Sequence, residues 1–436
     1  MKQVVVIGAG LAGLSAAYHL SLMGYHCEVY EKDDEVGGLC RTIKKDGYSF
    51  DIAGHWFHCK SDYILSLFKK LAPVKLETVK RKTGVYSMGR YTRHPFQTNL
   101  KGLPEDVVVE CLIEFSRAFY ANDDREYENF EDWILRTLGK GIARYFMIPY
   151  NLKLWTVEPK EMTCDWMGRF LPKADIHEVF SGAIGRGKHT KAYNASFFYP
   201  LQGGIQVLPE ALSKTIKDLH LGSEMESIDL CKKRIRLGTG KSIEYDCLIN
   251  TLPLNQFIRL VDNKNEFLLE HVEKLKHNAL LNINLGVNCE TALNKNHWVY
   301  LPEEGVPYFR AGSYSNVMPS MAPGGKSSLY IECAYDPVRP IDLEELEERC
   351  LEKMVSLKMI PNMKSIEVIQ KNKIPCAYVI YDKNHKAVTT SLKSFLESNE
   401  IFSIGRYGNW EYSSMEDAIQ QGIDIAERIR LKKDEL

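Results

Sequence analysis

Apolar residues open the chain as a continuous run, Val4-Val5-Val6-Ile7, the pattern of a strand buried on both faces. Gly8-Ala9-Gly10-Leu11-Ala12-Gly13 interrupts it, and from Leu14 to Leu22 apolar positions return at helical spacing. Cys27-Glu28-Val29-Tyr30 predicts a second strand, ended by Glu31. Apolar residues at i, i+3 and i+4 predict helices over Asp106 to Phe119 and Phe130 to Tyr145, punctuated by Pro149 and Pro159. Beyond Ala279 the period changes. Short alternating runs predict strands at Leu280 to Val287, Trp298 to Leu301, Tyr308 to Ser313 and Ser328 to Ala334. The stretch from Ser313 to Lys326, rich in Ser, Pro and Gly, reads as a candidate lid.

Composition narrows the class. The 436 residues make room for about three domain-sized units. Hydrophobic residues at 44% and charged residues at 26% fit a soluble globular chain with no membrane span. The 56 Lys and Arg against 57 Asp and Glu give a net charge of -1, which argues against a nucleic-acid partner. Eleven cysteines without a Cys-x-x-Cys pair read as reduced thiols, with neither a disulfide framework nor a zinc site. The apolar run after Lys2 carries three glycines at motif spacing, so it reads as strand, turn and helix and not as a secretion signal. The final Lys433-Asp434-Glu435-Leu436 spells an ER-retention address, which without an entry signal reads as a solvated helix end. The expected location is cytoplasmic.

The opening elements carry chemistry. Gly8 permits a tight turn, Gly10 lets backbone approach a pyrophosphate, and Gly13 allows close helix–strand packing. The helix N-terminus offers unpaired N–H groups to the anion. Glu31 lies 23 residues after Gly8, near the about 20 at which an acid accepts from ribose hydroxyls. Strand, helix and terminal acid together predict a dinucleotide site.

The next glycine pair, Gly37-Gly38-Leu39-Cys40-Arg41-Thr42, resembles a stretch of the FAD-dependent amine oxidase and protoporphyrinogen oxidase superfamily that hugs the flavin phosphates and ribityl chain. Three later segments resemble the same superfamily: Tyr199-Pro200-Leu201-Gln202-Gly203-Gly204-Ile205, leading into a helix from Val207 to Leu219; Asp246 to Pro253; and Phe402-Ser403-Ile404-Gly405-Arg406. Within it, Tyr150-Asn151-Leu152-Lys153-Leu154-Trp155 resembles the Tyr-x-x-Lys-x-Trp motif of the UDP-galactopyranose mutase family. So do His94 to Asn99, the 130–169 stretch, Asn194 to Pro200, Trp298 to Glu303, Pro307-Tyr308-Phe309-Arg310 and Gly405 to Tyr412, and eukaryotic-type members are the most similar. His94, Glu411 and Val317 depart from that family, which has tyrosine, often arginine, and tyrosine there; a related sugar nucleotide as substrate fits these departures.

The resemblance implies an α/β fold. A Rossmann-type, glutathione-reductase-like FAD domain would be assembled from 1–90, 195–255 and 396–436. A mainly helical substrate domain would span 100–194, and an antiparallel sheet domain 256–395. It implies FAD contacts at Gly8, Gly10, Gly13, Glu31, Gly38, Leu39, Arg41, His55, Met225, Gly405 and Arg406. His58 is a further histidine near the flavin. Arg310 would clamp a diphosphate, with Arg169 as candidate second clamp and Tyr378 and Tyr412 as paired phenol donors; with His55 these form the catalytic set. Phe96, Gln97, Tyr150, Asn151, Trp155, Asn194 and Tyr300 would contact the rest of the substrate. The implied reaction interconverts pyranose and furanose forms of a nucleoside-diphosphate sugar, with N5 of reduced FAD attacking the anomeric carbon. NAD(P)H is the implied external reductant, and association of this chain into a homo-oligomer is a further expectation. Two alternatives stay open: an FAD-dependent oxidase or desaturase, and a non-enzymatic flavoprotein or nucleotide-sugar-binding subunit.

Overall fold

A computed structural model describes residues 3–121, 123–171, 173–187, 195–290 and 292–434. The apolar Val4–Ile7 run forms the centre of a five-stranded parallel sheet in the order Ile401–Ser403, Cys247–Asn250, Val4–Ile7, Cys27–Tyr30, Asp218–His220. Its first three valines have no exposed surface, as a strand covered on both faces requires. The glycine segment leads directly into the Leu11–Leu22 helix, three residues earlier than the apolar spacing indicates. The expected helix from Val207 to Leu219 is a correction: it ends at Ser213, and Asp218–His220 extends instead as the edge strand beside Cys27–Tyr30. Leu212 and Leu219 share a helical repeat but serve different elements.

The second sheet has seven strands, ordered Ile366–Ile374, Ala279–Val287, Ser327–Tyr335, Arg310–Ser313, Trp298–Tyr300, Thr83–Ser87, Arg90–Arg93. Pairing is antiparallel except where Trp298–Tyr300 runs parallel to Thr83–Ser87. The last two strands come from within the first 93 residues, so this sheet draws on a part of the chain ahead of the helical insert. The strand expected from Tyr308 begins only at Arg310, because Tyr308 and Phe309 are the end of the connecting turn.

The insert contains the helices Glu105–Ala121, Phe130–Ile142, Ile148–Trp155 and Ile176–Ala183. The expected run from Phe130 to Tyr145 passes through a π-helical turn, Ala143–Met147, before Ile148–Trp155 continues it. The 313–326 segment is not a free lid. Tyr314 and Met321 are buried, and the Tyr314 hydroxyl donates to the carbonyls of Asp51 (2.7 Å) and Ala53 (3.2 Å). It is a wedge under the 51–55 turn.

Candidate active site

Three backbone segments far apart in sequence meet over the end of the parallel sheet. Gly13 packs so close to Gly8 that a β-carbon there would stand 2.1 Å from the Gly8 carbonyl oxygen. Gly10 is open: a β-carbon on it would meet no atom within 4 Å. Gly38 folds back beside it, 3.7 Å from the Gly10 α-carbon by the same measure, and Gly405 packs against Ala12. Gly10 caps the 11–22 helix without a side chain, which leaves the first-turn amides facing that opening. Glu31 is buried and accepts from the Ala9 N–H (2.7 Å) and the Asp33 N–H (3.1 Å). Arg41 pairs with Asp33 at 3.1 Å, yet its Nε is buried with no partner. Met225 lies buried at the start of the Met225–Asp229 strand. An open glycine cradle at a helix N-terminus, a buried acid at the strand end and an orphaned cationic donor suit a dinucleotide diphosphate and ribose.

His55 stands on a turn pinned from the second sheet. Ala53, with φ of 62°, donates its N–H to Asn282 Oδ1 (3.1 Å), and Gly54 N–H donates to Glu332 (3.0 Å). His55 Nδ1 lies 2.7 Å from the Ile52 carbonyl, and burial pulls its pKa down to about 4. A carbonyl only accepts, so Nδ1 carries the proton and Nε2 is left as an acceptor. His58 is held by the Ser196 carbonyl (3.2 Å) and is likewise lowered to about 4 by burial.

Next to this turn lies a cluster of half-buried rings and cations. Tyr150 sits edge-on to Tyr300 (5.4 Å) and Phe309 (6.2 Å). Tyr378 and Tyr412 stack at 6.0 Å, and Arg406 lies 5.2 and 4.8 Å from their respective centroids. Arg310 is held by Glu332, through Nε and through a second bond of 2.7 Å. Burial opposes the Arg310 charge, and the Glu332 carboxylate overcomes it and holds the guanidinium protonated. Burial pushes the phenols of Tyr150, Tyr378 and Tyr412 up, so each keeps its O–H as a donor. The arrangement offers a permanent cation and several neutral O–H donors to an anionic ligand.

The other expected contacts are placed differently. Trp155 has no exposed surface and supports the cluster from below, 5.6 Å from Tyr378 and 5.8 Å from Tyr412. Asn151 is buried, donating to the Met147 carbonyl and accepting from Trp155 Nε1. Phe96 is fully buried and stacks on Phe146 at 5.0 Å, which in turn stacks on Tyr150; Gln97 is buried beside it. Phe146 thus separates Phe96 from Tyr150. Arg169 is 40% exposed and reaches Asp417 and Ser414, joined to the cluster through Phe170, 4.8 Å from Tyr412. Asn194 lies outside the described residues, as do Glu435 and Leu436. Sequence reasoning missed Glu332 and Asn282. An acid inside the apolar strand Leu329-Tyr330-Ile331-Glu332-Cys333 was the available signal, since carboxylates are seldom fully buried unpaired.

The sequence pattern of the family described as flavin containing amine oxidoreductase matches residues 11–430. The chain belongs to that family. A crystal structure of reduced UDP-galactopyranose mutase is similar over 98% of this chain and 94% of that one, with a TM-score of 0.93 and 26% identity. A probable flavin-containing monoamine oxidase A of Dictyostelium discoideum is 24% identical over 273 residues, 58% of each chain. Protoporphyrinogen oxidase 2 of Arabidopsis thaliana is 23% identical over 266 residues, 52% of this chain and 50% of that one. The match thus spans between half and three fifths of the length of these two relatives. The fold is the mixed parallel and antiparallel α/β arrangement of the mutase structure, and the chain is a flavin-dependent enzyme of the amine oxidase superfamily. Among the described residues no helix is long and apolar enough to cross a membrane.

Proposed function

We propose that this flavin-dependent enzyme is a nucleotide-sugar mutase, interconverting pyranose and furanose forms of a UDP-galactose-like substrate. The observation that carries the reading is the joint one of near full-length similarity to the mutase structure and the Arg310–Tyr378–Tyr412–Tyr150 cluster beside the glycine cradle. Gly8, Gly10, Gly13, Glu31, Gly38, Leu39, Arg41, Met225, Gly405 and Arg406 would hold FAD. Reduced FAD, when bound, supplies a nucleophile for the anomeric carbon. NAD(P)H is the proposed source of its electrons.

The protein's own residues do the rest. Arg310 balances the diphosphate as it leaves the sugar and again when it returns, because a guanidinium keeps its charge throughout. Tyr378, Tyr412 and Tyr150 donate O–H groups to the same oxygens, with phenols that burial keeps protonated. Tyr300, packed edge-on against Tyr150, would orient the sugar. His55, with Nδ1 held by the Ile52 carbonyl, would offer Nε2 as an acceptor to the cofactor or substrate. Arg169 provides a second cation once released from Asp417.

The oxidase reading rests on the names of the two relatives in sequence. One experiment separates the two. Purified protein is incubated anaerobically with a panel of nucleotide sugars, with and without dithionite, and the products are separated by chromatography. An isomer of unchanged mass that forms only with reduced flavin is the expected result. No conversion, with oxygen uptake on an amine or porphyrinogen, would replace the mutase reading with an oxidase.

A further inference from the structure

The Ile148–Trp155 helix sends two side chains toward the turn that joins Tyr300 to Arg310. Tyr150 packs on Tyr300 and Phe309. Lys153, three residues on and therefore on the same helix face, donates to the carbonyls of Glu303 (2.9 Å), Val306 (3.0 Å) and Tyr308 (3.1 Å). A lysine ammonium has three donors and no acceptor, so this set saturates it. Glu303 turns its carboxylate to the Met88 N–H instead. A further carbonyl of the turn, at Pro307, accepts from Cys333 Sγ at 2.9 Å, and Cys333 adjoins Glu332, the partner of Arg310. Burial pulls the Lys153 pKa down to about 7, so a charge is costly where this amine stands.

We propose that Lys153 is a positioning residue of the anion clamp, and that by gathering the 303–308 carbonyls it fixes Arg310 relative to Tyr300. The inference rests on reading Arg310 as the diphosphate-binding cation. Without the amine, the Val306 and Tyr308 carbonyls lose the donor they share and the Glu303 carbonyl keeps only the Val306 N–H. The turn relaxes at the end that feeds Arg310, while the glycine cradle and Glu31, on the other sheet, are untouched. Substrate binding then weakens and cofactor binding does not.

The test uses FAD-loaded full-length enzyme and the variants K153M and K153R. K153M is expected to raise KM for the nucleotide sugar about tenfold, with kcat within about twofold and the flavin content and spectrum unchanged. K153R, which keeps the charge but spreads its donors over a planar fork, is expected to recover part of the loss. An unchanged KM in K153M, or kcat falling as far as KM rises, overturns the proposal. Hydrogen exchange of the same proteins gives a second readout. Faster exchange in K153M confined to 301–312 supports the positioning role; uniform or unchanged exchange overturns it. If K153M does not fold, K153R carries both readouts with the same signs. If the unaltered enzyme converts no nucleotide sugar, the reading of the site has failed by itself, and the exchange pattern still decides whether Lys153 sets the turn.

Discussion

Arg310 and Glu332 face each other in register on neighbouring strands, and the carboxylate also accepts from Gly54 N–H. One side chain therefore holds the clamp and the turn that carries His55. Glu332 is 1% exposed, so removing its charge strands a guanidinium in a site of low dielectric. Glu332→Ala is expected to lower stability by about 3–5 kcal/mol in urea unfolding. The paired change Arg310→Met with Glu332→Leu is expected to recover most of that loss while abolishing the proposed isomerisation, because on that reading only the bound anion needs the cation. A single variant as stable as the original protein would show that the pair does not hold this part of the sheet. Arg310 was legible in the sequence because it sits in a motif. Its partner was not, because their pairing crosses between strands 22 residues apart and no local spacing announces it. Phe96 shows what a motif leaves out. Its motif position suggests a ligand contact, and only the packing shows that Phe146 lies between it and Tyr150.

Among the elements, the strand–glycine–helix start separates two roles that the sequence leaves joined. Gly13 is closed by the Gly8 carbonyl, whereas Gly10, at φ of -75°, has open space beyond it. A methyl group at Gly13 forces backbone apart, and one at Gly10 only fills the space a diphosphate would occupy. Gly10→Ala is expected to leave the apoprotein's melting temperature unchanged within about 2 °C and to lower bound FAD at least about tenfold, read from the flavin absorbance of the purified protein. Gly13→Ala is expected to lower both. A Gly10→Ala protein that retains its full flavin would place the cofactor elsewhere. This element was readable from sequence because all its information is local. Strand, turn and helix follow one another within 30 residues. The Asp218–His220 strand was misread for the complementary reason: its apolar positions continue the preceding helical repeat, and only pairing with Cys27–Tyr30 decides its conformation. The 313–326 segment was misread on composition, since Ser, Pro and Gly mark turns whether or not the aromatic among them is buried.

At the scale of the whole molecule, His58 and His297 lie at seams between distant parts of the chain. His58 bonds to the Ser196 carbonyl across 138 residues, and His297 Nδ1 accepts the Lys82 N–H across 215. Burial pulls His55, His58 and His297 down to about 4 and His94 to about 3. Unfolded, each returns to about 6.5. Between these values the unfolded chain holds protons that the folded chain refuses, so stability rises with pH from about 4 to 6.5 and falls as acid is added. Asp51 acts the other way. Burial raises it to about 6, against hydrogen bonds from Thr42, Tyr199 and Ile205, so the fold holds a proton there that the unfolded chain releases. Burial lowers His19 and His385 as well, so among the described residues six histidines oppose one aspartate and the histidines set the sign. The urea midpoint is therefore expected to fall steadily between pH 6.5 and 4.5. His297→Gln should flatten that slope by about one proton, because glutamine does not titrate and its side-chain oxygen still accepts a backbone N–H. His297 is the decisive position. Protonation there removes the lone pair that receives Lys82 N–H, at the start of the strand that joins the early segment to the second sheet. A midpoint independent of pH across that window would mean that these seams open to water before the chain unfolds, and that local separation of the two segments precedes global unfolding.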